Sequence, residues 1–263
     1  MRILLTNDDG INAPGLAVLH EIAATLSSDV WTVAPETNQS GTSHSLTLHA
    51  PLRMREAGPR TYAVAGTPTD CIIMAVRHLL KDSPPTLVLS GVNDSANVAE
   101  DVTYSGTVAG AMEGTLLGIP SIALSLTTVG ARLGGDVHWD TPRKHGPGLI
   151  ARLLEAGWPA GTLLNVNFPP VAPDKVAGVS VTRQGVRDQD SLAIDERADP
   201  WGKPYYWFGF RYRPSTLVAG TDLAALAAGE ISVTPLSLDL TNAAAASKLA
   251  AVLAGSTGRK AAV

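Results

Sequence analysis

Through the first half of the chain, short apolar runs that end in polar clusters alternate with segments of helical spacing. Few architectures accommodate that alternation. Residues 2–6 form an apolar run leading directly into Asn7-Asp8-Asp9, and residues 14–26 place Leu16, Leu19, Ile22, Ala23 and Leu26 at helical intervals. A second strand is expected at 29–33, short strands at 46–48 and 52–55 on either side of Pro51, and further strands at 86–90 and 121–126. Thr67-Pro68-Thr69-Asp70 starts a helix, with Thr as cap, Pro in the first position and Asp in the first turn. That helix should run to about Leu80, and another should cover 107–117. Strands and helices joined by short connections imply a mostly parallel sheet covered on both faces. Ligands of such sheets sit beyond the carboxyl ends of the strands. The clusters Asn7-Asp8-Asp9 and Ser90-Gly91-Val92-Asn93 both follow strands, so they should share that edge.

The second half is less regular. A helix is expected at 145–157, strands at 162–166 and 176–182, a short helix at 221–228 closed by Gly229, and an Ala-rich helix at 241–253 closed by Gly255. Residues 256–263 should fray. The aromatic-rich segment 199–213 reads as an extended hairpin or arm, serving either subunit contact or core packing.

Composition narrows the function. With 45% hydrophobic and 17% charged residues, the chain is not disordered. A net charge of -4 without long runs of one sign gives no footprint for duplex nucleic acid. Cys71 stands alone, which excludes an intrachain disulfide, and it reads as a small buried residue of an apolar helix. The polar cluster arrives too early after Met1 for a signal peptide, and no apolar stretch approaches the roughly 18 residues of a membrane span. A cytoplasmic protein is expected.

Asp8 and Asp9 are adjacent carboxylates at a strand end, followed by Gly10, which permits a sharp turn. Close carboxylates repel, and a divalent cation is the usual remedy; a solvated turn is the alternative for a bare pair. Asn93 after another strand and Ser40 in a loop after a third would complete an all-oxygen set suited to Mg²⁺ or Mn²⁺. Ser105-Gly106-Thr107 precedes an apolar helix, so it offers hydroxyls and backbone N–H groups to a phosphate, or simply caps the helix. His44, the only histidine near these motifs, is either a proton donor to a leaving alcohol or a solvated loop residue.

Thr6-Asn7-Asp8-Asp9-Gly10-Ile11 with Gly15, Val33-Ala34-Pro35, Asn38-Gln39-Ser40-Gly41 and Ser45-Leu46-Thr47 together resemble the N-terminal signature of the SurE family, the survival-protein nucleotidases. Gly66-Thr67-Pro68-Thr69-Asp70-Cys71, Ser90-Gly91-Val92-Asn93, Asn97, Asp101-Val102, Tyr104-Ser105-Gly106-Thr107 and Glu113-Gly114 continue the likeness. Thr182-Arg183-Gln184, Tyr205-Tyr206-Trp207 and Ser232-Val233-Thr234-Pro235-Leu236 carry it into the second half. The resemblance implies one SurE-like domain over 1–263, with a Rossmann-like core and metal site in 1–130. Residues 131–263 would supply the remaining sheet, an oligomerisation arm and a C-terminal helix, used in a homodimer or homotetramer. It implies hydrolysis of nucleoside 5′- or 3′-monophosphates, and in some members of short polyphosphate, with one Mg²⁺ or Mn²⁺ per subunit. By matching positions, Asp8, Asp9, Ser40 and Asn93 would be metal ligands, with Asp8 and Asp9 catalytic. Asn97, Ser105, Gly106 and Thr107 would lie near the phosphate. The chain departs from the family pattern at Ser95 and Ala99, where glycines are usual, and Asp94 adds a negative charge beside them.

Three rival readings fit less well. A receiver-type module wants an Asp where the chain has Ser90-Gly91, and a covalent phosphatase loop wants an Asp-x-Asp spacing. A nucleotide-binding protein without turnover stays open, although no Gly-x-Gly-x-x-Gly follows the first strand.

Overall fold

In the computed structural model, residues 1–128, 137–187, 192–210 and 216–256 are described. Strand β1 (Arg2–Thr6) lies inside a nine-stranded sheet, and its Ile3, Leu4 and Leu5 are fully buried. Burial on both faces explains why its sequence is a continuous apolar run instead of an alternating one. The other strands are β2 (Asp29–Pro35), β3 (Met54–Gly58), β4 (Thr61–Val64), β5 (Leu87–Asn93), β6 (Ser121–Leu126), β7 (Thr162–Phe168), β8 (Gly178–Val181) and β11 (Glu230–Ser237). Their order is β3-β4-β2-β1-β5-β6-β7-β11-β8, with β3 and β11 antiparallel to β4 and β7 and the remaining pairs parallel. The chain leaves β1 toward β2 on one side and later returns to β5 on the other. The β1–β5 boundary is therefore the switch point at which such sheets open a crevice.

Helices cover both faces. Helix α1 (Pro14–Leu26) packs with α4 (Asp140–Ala156) over Ile3, Leu5, Leu87 and Leu89. On the opposite face, α2 (Pro68–Met74) covers Leu4, Val33 and Val88, and α3 (Gly106–Leu116) sits on β5 and β6. A reciprocal pair of bonds between Thr67 and Asp70 starts α2, and its chain continues as wider turns through Leu79. Helix α4 begins ahead of the expected 145 because Pro142 lies in the first turn, where no N–H is needed.

Several expectations need correction. Residues 46–48 are not a strand: Thr47 gives both its N–H and its hydroxyl to Asp70, at 3.1 and 2.6 Å, while Leu46 and Leu48 are exposed. The strand expected at 52–55 is β3, shifted to begin at Met54, and its partner β4 was not anticipated. Nor was β11, whose Pro235 argues against a central strand. Strand β8 pairs only with Glu230–Val233, however, so at Pro235 the strand has one open side where a missing N–H does no harm.

The aromatic segment belongs to a separate hairpin of β9 (Leu192–Ala198) and β10 (Pro204–Phe210), which starts upstream of the expected 199. Asp199 Oδ1 accepts from the N–H groups of Trp201 and Lys203, closing its turn. Residues 211–213 of the expected arm and 257–263 of the expected frayed end lie outside the described residues. After α5 (Asp222–Ala227), the helix α6 (Ala243–Ser256) runs through Gly255, which therefore does not close it. Among the described residues, no helix is long and apolar enough to cross a membrane.

Gly91 lets β5 pack tightly on β6. Its φ is +139°, and a Cβ there would lie 2.1 Å from the Leu124 carbonyl oxygen. Gly91→Ala is expected to cost about 3 kcal/mol and to lower the melting temperature by roughly 6–12 °C. A thermal melt followed by circular dichroism checks this; an unchanged midpoint would contradict the close packing of β5 on β6.

Candidate active site

Thr6 and Ser90 are paired across the parallel strands β1 and β5, so the residues that follow each strand emerge at one edge. Asp8 is buried and Asp9 partly so. The N-terminus of α3 is docked on Asp8: Thr107 Oγ1 donates to Asp8 Oδ1, and the Thr107 N–H also bonds the carboxylate. Gly106 makes this approach possible, since a Cβ there would stand 2.7 Å from Asp8 Cβ. An anionic group at a helix N-terminus is stabilised by the unpaired N–H groups and by the dipole.

The electrostatics are one-sided. Burial pushes the Asp8 carboxyl above the ordinary value, the Thr107 bonds work against that, and Asp94 pushes it further up. Asp9 is raised to about 7, first by burial and then by the charges of Asp8 and Asp94. Among the described residues, the charges acting on the pair are thus all negative. Among the described residues, no group of three His, Cys, Asp or Glu side chains forms a metal cluster. A cation at the pair would take its remaining ligands from neutral oxygens, which favours a hard ion such as Mg²⁺ or Mn²⁺.

The segments that carry Ser40 and Asn93 adjoin Asp8 and β1. The Gln39 N–H donates to the Asp8 carbonyl at 2.7 Å, and Asn38 Oδ1 accepts from the Ser40 N–H at 2.9 Å, which seats the turn carrying Ser40 beside Asp8. Asn93 ends β5, and its amide nitrogen donates to the Ser95 carbonyl at 2.7 Å, which turns Oδ1 the other way. Beside Asp9 opens a cleft of about 330 Å³, bordered by Asn12, Glu36, Asn38 and Asp94. The donor set and the uncompensated carboxylates fit a divalent cation.

Asn97 is held from three sides. Its N–H donates to Asn167 Oδ1 at 2.8 Å, its carbonyl accepts from Asn165 and Asn167, and its side chain donates to Ser125 Oγ. Asn165 and Asn167 lie on β7, are fully buried and were missed. Their signal was two asparagines at alternate positions in an otherwise apolar strand. Ser105 Oγ accepts from the Val108 N–H at 3.0 Å and so caps α3, which leaves its own proton to donate outward. Thr107 sits at the same N-terminus, with its hydroxyl given to Asp8. His44 Nε2 bonds Glu113 Oε2 at 2.9 Å, which leaves Nδ1 as the nitrogen a proton donor would use.

The two departures from the family pattern separate here. Ser95 does not occur among the positive-φ residues, whereas Ala99 does, at φ +51°. That conformation costs an L-residue roughly 1 kcal/mol. The Ala99 N–H donates to Asp222 Oδ2 at 2.8 Å. Asp222 was also missed; its signal was Thr221-Asp222 at the start of α5.

An acidic, cation-seeking crevice at the switch point of a doubly wound sheet, with a helix N-terminus docked on it, defines a Rossmann-like α/β protein built to handle phosphate. The sequence model described as Survival protein SurE matches residues 3–191, and the chain belongs to the SurE family. Similar proteins include the 5'-nucleotidase SurE of Rhodopseudomonas palustris strain BisB5, 60% identical over 96% of this chain and all of the relative. Another is the 5'-nucleotidase SurE of Bradyrhizobium sp. strain ORS 278, 58% identical over 97% of this chain and all of that relative. The crystal structure of SurE protein from Aquifex aeolicus superposes with a TM-score of 0.80 at 42% identity, covering 92% of this chain and 95% of that one.

The raised carboxyls give the cation-free protein a pH dependence. Asp9 has a folded value near 7, above the roughly 3.9 of an unfolded Asp, so the folded chain holds its proton longer. The contribution is fully present below about pH 4 and is lost as pH rises through 7. In EDTA, the melting temperature should therefore rise between pH 8 and pH 6, and Asp9→Asn should flatten that rise. Equal slopes for the two proteins, read by differential scanning fluorimetry, would contradict the raised value.

Proposed function

We infer that the chain is a divalent-cation-dependent 5′-nucleotidase, which hydrolyses nucleoside 5′-monophosphates to nucleoside and phosphate. The observation that carries this reading is the Asp8–Asp9 pair, which among the described residues faces only negative charge and whose buried Asp8 is docked on the N-terminus of α3. The names of relatives that match nearly the whole chain supply the substrate class.

Asp8, Asp9, Ser40 and Asn93 would hold the cation, one per subunit. When bound, Mg²⁺ or Mn²⁺ supplies positive charge opposite the phosphoryl oxygens. Asp8, immobilised by Thr107 and Gly106, fixes the position of the centre. Asp9 is the less buried of the two and orients the attacking water on the open side. Ser105 donates its free proton toward a phosphoryl oxygen, and α3 adds the Gly106 N–H and its dipole, since the Thr107 and Val108 N–H groups are taken by Asp8 and Ser105. Asn97, with its backbone tied to β7, frames the far side of the phosphate. His44, with Nε2 held by Glu113, has Nδ1 as the nitrogen that could donate a proton to the leaving alcohol.

A binding protein without turnover is the second reading. The Asp94 charge beside the phosphate position and the left-handed Ala99 favour it. Phosphate release from a panel of nucleoside 5′- and 3′-monophosphates, with Mg²⁺, Mn²⁺ or EDTA, separates the two. Release is expected with metal and absent with EDTA, and Asp9→Asn should lose at least about a hundredfold in kcat. Folded protein that releases no phosphate with either metal would establish the binding reading instead.

Homo-oligomerisation is part of the same proposal. Tyr206, Trp207 and Phe208 expose both faces of the β9–β10 ribbon, at 57%, 60% and 76%, and α6 exposes Leu249, Val252 and Leu253. A two-stranded ribbon is marginal alone, and a second copy of the chain would cover it. Replacing Trp207 and Phe208 together by Ser should lower the mass measured by light scattering to that of a smaller assembly; an unchanged mass would remove the hairpin from the interface.

A further inference from the structure

The loop between β5 and α3 carries Asn97 and leads to Ser105, and its middle is gripped by residues far away in sequence. Asp222 is fully buried and uses both carboxylate oxygens on backbone N–H groups. Oδ2 accepts from Ala99 at 2.8 Å, while Oδ1 accepts from Gly185 and Leu223, each at 2.8 Å. Two residues past Gly185, the Arg187 N–H donates to Glu100 Oε2 at 2.8 Å, and the Arg187 guanidinium holds Asp101 Oδ2 through Nε at 3.0 Å. Residues 99, 100 and 101 are therefore fastened one after another by residues 222 and 187.

Ala99 is the residue in this loop that needs holding. Its left-handed φ is unfavourable for any side chain with a Cβ, and its N–H points at a buried carboxylate that accepts no other bond through that oxygen among those described. Charge-assisted bonds to a buried carboxylate are among the stronger ones available for fixing a backbone. Two residues earlier, Asn97 is tied to β7, so the segment between Asn97 and Asp101 has fixed points at both ends.

We propose that Asp222 and Arg187 form a clamp that sets the phosphate-receiving loop, with Asp222 a positioning residue acting through the left-handed Ala99. The inference rests on the phosphatase reading of the site, but the clamp itself can be read without turnover. Asp222 touches neither the Asp8–Asp9 pair nor Asn93, so loosening it should change substrate binding and leave the response to metal alone.

The test compares wild type, Asp222→Asn, Ala99→Gly, the double variant and Arg187→Gln. KM and kcat are measured for a nucleoside 5′-monophosphate with Mg²⁺, and amide hydrogen exchange is followed in the free proteins. Asp222→Asn should raise KM about tenfold, with kcat and the Mg²⁺ activation constant each within about threefold of wild type. Exchange should quicken across 97–104 and stay unchanged in β1 and β5. Glycine adopts positive φ without help, so Ala99→Gly in the Asp222→Asn background should recover most of the lost KM. An equal KM penalty in both backgrounds, or exchange that quickens through the whole chain, would overturn the proposal. If Asp222→Asn does not fold, Arg187→Gln on its half-buried surface decides: wild-type KM and exchange at 99–101 would sink the clamp, and a rise in both would support it. Absence of turnover in the wild type counts against the phosphatase reading alone, and the exchange measurement then decides the clamp.

Discussion

Two adjacent carboxylates cannot share a buried site without something to hold them there, and much of this molecule is arranged around that difficulty. The sheet supplies the place, because β1 and β5 part at the switch point and leave an open edge beyond their carboxyl ends. Helix α3 supplies the first compensation: its N-terminus meets Asp8 closely enough that residue 106 has no room for a Cβ. The 38–40 turn supplies the second, by bonding the Asp8 main chain through the Gln39 N–H. What these contacts leave uncompensated is charge. A crevice with acidic walls and, among the described residues, no basic side chain acting on the pair attracts a divalent cation, and through that cation it can attract an anion it would otherwise repel.

The central strands were legible because burial on both faces writes itself as uninterrupted apolar runs. The edges were not. Strand β4 is four residues with a Thr and a Tyr, and β11 carries a proline that local reasoning takes as a stop. Residues 46–48 alternate like a strand, yet Thr47 is drawn off by Asp70, a contact that no periodicity announces. The site divides in the same way. Asp8, Asp9 and Asn93 could be placed at one edge because each follows a strand. Asn165, Asn167 and Asp222 could not, since they meet the loop across separations of 68, 70 and 123 residues. The place of Thr107 beside Asp8 was visible in the motif, whereas the bond from its hydroxyl to the Asp8 carboxylate was not.

The substitutions at the usual glycine positions also look different in three dimensions. Sequence treats Ser95 and Ala99 as equal departures. Ser95 costs nothing in backbone strain, and its carbonyl usefully anchors the Asn93 amide. Ala99 keeps the left-handed turn that a glycine would adopt freely, and it does so beside a buried carboxylate that accepts its N–H. Side-chain bulk at that position has thus been absorbed by a hydrogen bond from the other end of the chain.

That bond has a consequence for how the protein comes into being on the ribosome. Strands β1 to β7 are all synthesised before residue 169, so a nascent chain of that length holds the whole parallel core and both aspartates. Its loop at 99–101 has no fastening until residues 187 and 222 have been translated and have cleared the exit tunnel. A chain made only to that point can already form its acidic crevice, while the bonds that hold Ala99 and Glu100 wait for sequence still to come.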